Sequence, residues 1–264
     1  YKVVLKAKKS LGQNFLIDKN IIKKIVSLSN VLNKDVLEIG PGTGNLTEYI
    51  LKQKPNRLFL VEKDKFLCER LKLKFKNEVE IRNEDILKID EKNISNHKLV
   101  VFGNLPYNIS TEIVCNWILK LNNDFWFSEL ILMFQKEVAD RIVSKANTSN
   151  YGRLSILLNW KMDIVKIFDI SPNCFFPKPK VYSSLIHFTP KKKYFKIKNS
   201  KNLEMITRIF FNQKRKMIKN PLRQLFSNSQ EISNKLKLNL NLRPQNLSLQ
   251  TYCNITREYE KLKS

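Results

Sequence analysis

Apolar positions first recur at helical spacing at Ile21, Ile22, Ile25 and Val26, with Asp18 standing where an N-cap belongs. The period then shortens. Val36-Leu37-Glu38-Ile39-Gly40 reads as a strand, and a helical segment carrying Leu46, Ile50 and Leu51 follows it. The alternation repeats with a strand over 58–62, a helix from about Asp64 to Phe75, and a strand near 79–82. Next come the strand Leu99–Phe102, a helix that Ser110 can cap, and the strand Leu130–Phe134. Short continuous apolar runs separated by helices predict a parallel sheet buried on both faces. Two further runs, Ile164–Phe168 and Ser184–Phe188, have little helix between them, which predicts an antiparallel edge. From about Lys191 the pattern is helical. We therefore expect an α/β domain over 1–190 and a small all-helical domain over 191–264.

Composition narrows the classes. With 264 residues, 42% of them apolar, the chain can bury a sizeable core. No apolar stretch reaches transmembrane length, because the densest one, Phe125–Phe134, is broken by Ser128 and Glu129. The lysine-bearing first residues contain no apolar signal core. Cys68, Cys115, Cys174 and Cys253 lie far apart and only two histidines are present, so neither a metal site nor a disulfide framework is expected. That cysteine usage suits a reducing compartment.

Charge changes the picture more. Lys and Arg number 48 against 24 Asp and Glu, a net charge of +24. Residues 190–264 hold 18 of the cations and only 4 of the acids. Such an excess suits a polyanion, whose condensed counterions are released on binding.

Three of the six glycines fall inside Glu38-Ile39-Gly40-Pro41-Gly42-Thr43-Gly44. A strand–glycine turn–helix unit lets backbone approach a ligand at the carboxyl end of a sheet. Glu62 ends the following strand, where a carboxylate can bind ribose hydroxyls. The spacing is GxGxG and not GxGxxG, which resembles motif I of class I methyltransferases. In folds with such a motif a residue at the place of Asp85, after the third strand, can accept from the adenine amino group of S-adenosylmethionine; taken alone Asp85 reads rather as a surface cap, and it gains weight in series with Gly40 and Glu62.

The fourth strand runs into Asn104-Leu105-Pro106-Tyr107. An adenine N6 is a poor nucleophile, because its lone pair is delocalised into the ring. To attack a methyl group it must pyramidalise while both its hydrogens are held. The Asn104 side-chain oxygen can accept one and the Leu105 carbonyl the other, while Pro106 fixes φ and adds no donor. Tyr107 offers a flat face for an extruded base. The turn suits methyl transfer to an amino nitrogen.

Over nearly its full length, from KKSLGQNFLID (8–18) to RIFFNQKRKMIKNPLRQLF (208–226), the chain resembles the KsgA-type small-subunit ribosomal RNA adenine dimethyltransferases, relatives of the Erm resistance methyltransferases. LMFQKEVADRI (132–142) and YGRLSI (151–156) are similar to family segments as well. The resemblance implies a Rossmann-like class I methyltransferase domain with a helical C-terminal domain, and S-adenosylmethionine as cofactor, leaving as S-adenosylhomocysteine. It implies Asn14, Leu16, Gly40, Glu62, Asp85 and Asn104 as cofactor contacts. Family members take a second aromatic from an FxPxPKV loop, here within Phe175-Phe176-Pro177-Lys178-Pro179-Lys180-Val181. Alignment on the prolines makes Phe175 the partner of Tyr107 around the adenine, and a slip of one residue would put Phe176 there.

The loop cations Lys178 and Lys180 suit RNA. So do Lys214, Arg215, Lys216, Lys219 and Arg223, read as lying along a helix that Pro221 interrupts, with Phe210, Phe211, Met217, Ile218 and Leu222 facing the body. The expected reaction is N6 dimethylation of two adjacent adenines near the 3′ end of small-subunit rRNA, in ribosome biogenesis. The expected partner is that RNA or the assembling small subunit, met by a monomer in the bacterial cytoplasm, with no membrane role. An organelle copy, an Erm-like large-subunit enzyme and a non-catalytic assembly or transcription factor stay open as alternatives.

Overall fold

The computed structural model describes residues 12–121 and 124–263. Lys8–Leu11 of the N-terminal motif lie outside that range. Nine strands are present among the described residues: β1 (Phe15–Leu16), β2 (Asp35–Ile39), β3 (Arg57–Val61), β4 (Glu80–Arg82), β5 (Leu99–Asn104), β6 (Phe127–Gln135), β7 (Met162–Ile170), β8 (Phe175–Phe176) and β9 (Ser183–Pro190). The helices are α1 (Lys19–Val26), α2 (Asn45–Lys52), α3 (Lys65–Phe75), α4 (Ser110–Lys120), α5 (Lys136–Ile142), α6 (Arg153–Lys161), α7 (Ser200–Phe211), α8 (Lys219–Leu225), α9 (Ser229–Lys235) and α10 (Leu249–Lys263).

Seven strands form one sheet in the order β4-β3-β2-β5-β6-β9-β7, and β1 pairs with β8 apart from it. Strands β2 to β6 are mutually parallel where they pair, and β9 runs antiparallel to β6. The chain builds outward from β2 through β3 to β4, then returns to lay β5 on the other side of β2. That reversal is a topological switch point, where connections leave in opposite directions and open a crevice at the strand ends. The central strands are buried on both faces, as their continuous apolar runs require: Val36, Leu37, Phe59, Leu60, Val100, Val101 and Phe102 are all fully buried.

Contacts divide the chain into two units. The first holds residues 12–113, 124–139 and 165–190, and the second holds 114–121, 140–164 and 191–263. Besides the C-terminal segment, the second unit thus takes up two stretches from within 1–190. Its core is built from Leu203, Ile206 and Phe210 of α7, Ile218, Leu222, and Tyr252, Cys253 and Ile255 of α10. Rings of Phe210 and Phe211 lie 5.5 and 5.8 Å from that of Tyr252, whose hydroxyl donates to the Pro244 carbonyl at 2.8 Å. Lys161 is buried here. It donates to the carbonyls of Ile118 and Leu121 at the end of α4, and burial lowers its pKa to about 8.

Local caps follow the sequence in part. Asp18 accepts from the Asn20 and Ile21 amides and Asp64 from that of Phe66, so both start their helices as expected. Ser110 does not cap. It is the first residue of α4, and its hydroxyl donates back to the Tyr107 carbonyl at 3.3 Å.

The cationic stretch also departs from expectation. α7 ends at Phe211, and Lys214, Arg215 and Lys216 occupy the turn before α8. Pro221 does not interrupt a helix but sits in the first turn of one, where its missing N–H would have had no intrahelical partner. Phe210, Ile218 and Leu222 are buried as anticipated, whereas Met217 is 55% exposed because the turn carries it outward.

Candidate active site

The strand order sets out the site. Asp85, Glu62, Gly40 and Asn104 follow or end β4, β3, β2 and β5, so they stand in a row across the carboxyl edge of the sheet. A single cleft is lined by Asn14, Gly40, Glu62, Asp85, Asn104, Leu105 and Tyr107 together, with Leu67 and Leu87 among its apolar walls. Leu16 lines a smaller adjoining cavity behind the glycine turn.

The glycine turn fits its role by geometry. Gly40 and Gly42 have φ of +66° and +58°, which side chains rarely adopt. A Cβ at Gly42 would lie 2.7 Å from the Phe15 ring, and one at Gly40 only 3.1 Å from the Asn104 carbonyl oxygen. The segment 12–16 lies across this turn. Asn45 donates to the Leu16 carbonyl at 2.8 Å, and Gln13 donates to Asp64 at 3.0 Å.

Each polar residue is oriented by a named partner. Glu62 accepts from the Gly42 amide at 3.2 Å and the Asp64 amide at 2.8 Å. Burial nevertheless raises its pKa, with those amide bonds opposing the shift. Asp85 accepts from the Leu87 amide at 3.1 Å and from Lys63 at 2.8 Å, and the Lys63 bond lowers its pKa. Asn104 donates through Nδ2 to the Asn14 carbonyl at 2.8 Å, which turns its Oδ1 the other way as an acceptor. Tyr107 is pinned at its hydroxyl by Ser183, 2.6 Å away, and burial raises its pKa.

The aromatic loop separates the two candidate rings. In β8 the two phenylalanines alternate sides. Leu16 pairs with Phe175, whose ring packs into the core and is 3% exposed, whereas Phe176 is 56% exposed. Phe175 therefore presents no open face to a base in this structure. Lys178 and Lys180 are exposed. In the second unit, Lys214 is half-buried and donates to the Ser149 carbonyl at 2.6 Å. Arg215, Lys216, Lys219 and Arg223 are exposed. A shallow depression gathers the first three of these with Asn241 and Arg243.

Sequence reasoning missed Lys63, Gln13, Ser183 and Arg243. The first three have partners far away in the chain, and Arg243 joins the other cations only through the fold; only Lys63 carried a local hint, from its place beside Glu62. 

The lining suits a nucleoside: apolar walls beside a base, two carboxylates able to accept from an amine or hydroxyls, and glycine backbone between them. The fold is that of a class I methyltransferase. A solved dimethyladenosine transferase from Plasmodium falciparum matches with a TM-score of 0.78 at 25% identity, over 94% of this chain and 98% of the other. The 23S rRNA methyltransferase ErmE shares the fold, with a TM-score of 0.69 at 20% identity over 95% of this chain and 100% of its own.

The family model described as ribosomal RNA adenine dimethylase matches residues 4–261, and the chain belongs to that family. A protein of Pelagibacter ubique named ribosomal RNA small subunit methyltransferase A is 60% identical over 98% of this chain and 99% of its own length. One of the same name from a Wolbachia strain of Drosophila simulans is 41% identical over 99% and 96%. The protein is an S-adenosylmethionine-dependent enzyme that dimethylates adenine in ribosomal RNA.

Proposed function

We propose that the substrate is small-subunit rRNA, methylated at N6 of two adjacent adenines near its 3′ end during assembly of the small ribosomal subunit. The observation that carries the site assignment is the Asn14–Asn104 hydrogen bond, which leaves Asn104 Oδ1 as an acceptor in the same cleft as Glu62 and Asp85. The names of the relatives and the clustered cations support the choice of RNA.

The bound cofactor supplies an electrophilic methyl group on a cationic sulfur. The chain's own residues do the positioning. Asn104 Oδ1 and the Leu105 carbonyl each accept one N6 hydrogen, which turns the nitrogen lone pair toward the methyl and holds a near-attack geometry. Tyr107, fixed by Ser183, stacks on the extruded ring. The second ring face falls to Phe175 by motif position or to Phe176 by exposure. No strong base is required, because the N6 proton becomes acidic only once the nitrogen has gained the methyl. Gly40, Glu62, Asp85, Asn14 and Leu16 hold the cofactor.

The first unit carries the chemistry. Arg215, Lys216, Lys219 and Arg223, with Lys178 and Lys180, dock RNA phosphates; Lys214 braces the turn through Ser149. The enzyme acts as a monomer in the bacterial cytoplasm, and among the described residues no helix is long and apolar enough to cross a membrane.

The test is labelled methyl transfer to purified, under-methylated small subunits, with large subunits in parallel. Dimethyladenine in small-subunit RNA is the expected product. Label in large-subunit RNA would move the target, and no label in either despite cofactor and RNA binding would remove the catalytic reading.

A further inference from the structure

The row along the carboxyl edge of the sheet does not end at Asn104. Beyond β5 come β6 and β9, and Gln135, the last residue of β6, pairs with Ser183, the first of β9. Because β9 runs antiparallel to β6, its start stands at the edge where β6 ends. A hydrogen bond from the Lys136 amide to the Tyr182 carbonyl, 2.9 Å long, prolongs this ladder by one residue. Tyr182 is thereby fixed at the rim, next to the Ser183 that pins the Tyr107 hydroxyl at 2.6 Å. The scheme above gives it no role.

The Tyr182 side chain is 52% exposed, and Phe176 and Val181 are exposed with it. Apolar side chains scattered singly over a surface are ordinary, whereas three within 176–182 mark a contact surface. The exposed cations Lys178 and Lys180 stand between them, and no acidic residue occurs over 170–190. Asp169, which accepts from the Ser184 hydroxyl at 2.7 Å, is already paired with Lys136 and Lys166. Aromatic faces set among cations suit a single strand of nucleic acid, whose bases stack while its phosphates meet the charges.

The pleat decides which base Tyr182 serves. Successive side chains along a strand point to opposite sides, so with Ser183 turned to Tyr107, Tyr182 turns away from it. It therefore does not close the second face of an adenine lying on Tyr107. We propose that Tyr182 stacks on the nucleotide next to the target adenine in the RNA, with Lys178 and Lys180 on the adjoining phosphates. When an adenine is extruded, its neighbour in the strand loses a stacking partner, and the Tyr182 ring replaces it. Every base has a π face, so the same platform accepts a second adenine or any other base.

The inference rests on the assignment of Tyr107 to the extruded adenine. Its test uses the protein loaded with S-adenosylhomocysteine and short RNAs in which one unpaired adenine is flanked by uridines. The RNAs are intact, abasic at the 5′ flank, or abasic at the 3′ flank. Tyr182→Ala should weaken binding of the intact RNA about tenfold, as for loss of one base–aromatic stack. Removing one of the two flanking bases should cost the unaltered protein about as much and cost Tyr182→Ala nothing more, because both changes delete a single contact. Tyr182→Phe should restore the affinity. The melting temperature and cofactor affinity of all variants should stay as they were, since Tyr182 lies outside the core and the cofactor cleft.

Losses that add at both flanks, or unchanged affinity of Tyr182→Ala for the intact RNA, would overturn the role of Tyr182. Methyl transfer by the unaltered protein to the same adenine would then leave the adenine site standing. Failure of the unaltered protein to bind the intact RNA or to methylate its adenine would overturn both.

Discussion

Asn104 shows how one side chain becomes a directing group. An amide has a donor end and an acceptor end, and which faces the substrate depends on what takes the other. Here the Asn14 carbonyl takes the donor end at 2.8 Å. Asn104→Ala is expected to keep cofactor affinity within about fivefold, as for loss of one ordinary hydrogen bond. Methyl transfer should fall by about a hundredfold or more, as when one oriented group at a reacting centre is removed. Single-turnover transfer alongside equilibrium binding checks both, and unchanged turnover would sink the positioning role. The glycines, Glu62 and Asn104 could be read from sequence because their chemistry is local and their spacing periodic. Ser183 could not, since nothing in the neighbouring residues reports a partner 76 residues away.

The short strand β8 decides between two rings that sequence alone leaves equivalent. Phe175 faces the core and Phe176 faces out, because the pairing with β1 fixes which side of the pleat each takes. Phe175→Ala should destabilise the protein by about 3–5 kcal/mol, as for other buried phenylalanines. Phe176→Ala should change stability by no more than about 0.5 kcal/mol. Thermal melting measures both. Transfer by the folded Phe176→Ala protein then settles the stacking face: loss puts the exposed ring on the base, and retention returns that role to Phe175. The same scale explains the cationic turn. Apolar spacing around 210–222 reads as one helix, yet Pro221 needs a first-turn position, so the chain breaks before it and Lys214–Lys216 fall in the gap.

At the scale of the molecule, the surplus of positive charge is a property of the chain but the gathering of these cations in one depression is a property of the fold. Arg215, Lys216 and Lys219 share their depression with Arg243, which lies in a separate turn held by the Ile218–Leu242 backbone bond of 2.9 Å. Reversing Arg215, Lys216 and Lys219 to glutamate should weaken RNA binding and reduce the slope of log affinity against log salt by about 2–3, near 0.7–0.9 per phosphate contact. Cofactor affinity should stay as it was. Binding curves across a salt series check this, and an unaltered slope would place the RNA elsewhere.

By itself the sequence determined the order of strands and helices, the glycine turn, the carboxylates that follow β3 and β4, the acceptor-rich turn after β5, and the family. Each of these depends on period or on residues adjacent in the chain. Only the tertiary structure decided that β4, β3, β2 and β5 stand side by side and so place Asp85, Glu62, Gly40 and Asn104 in one row. It also decided which phenylalanine is covered and which lysine is spent on a carbonyl. Those outcomes depend on contacts between segments far apart in sequence, and burial and charge pairing exist only once those segments have met.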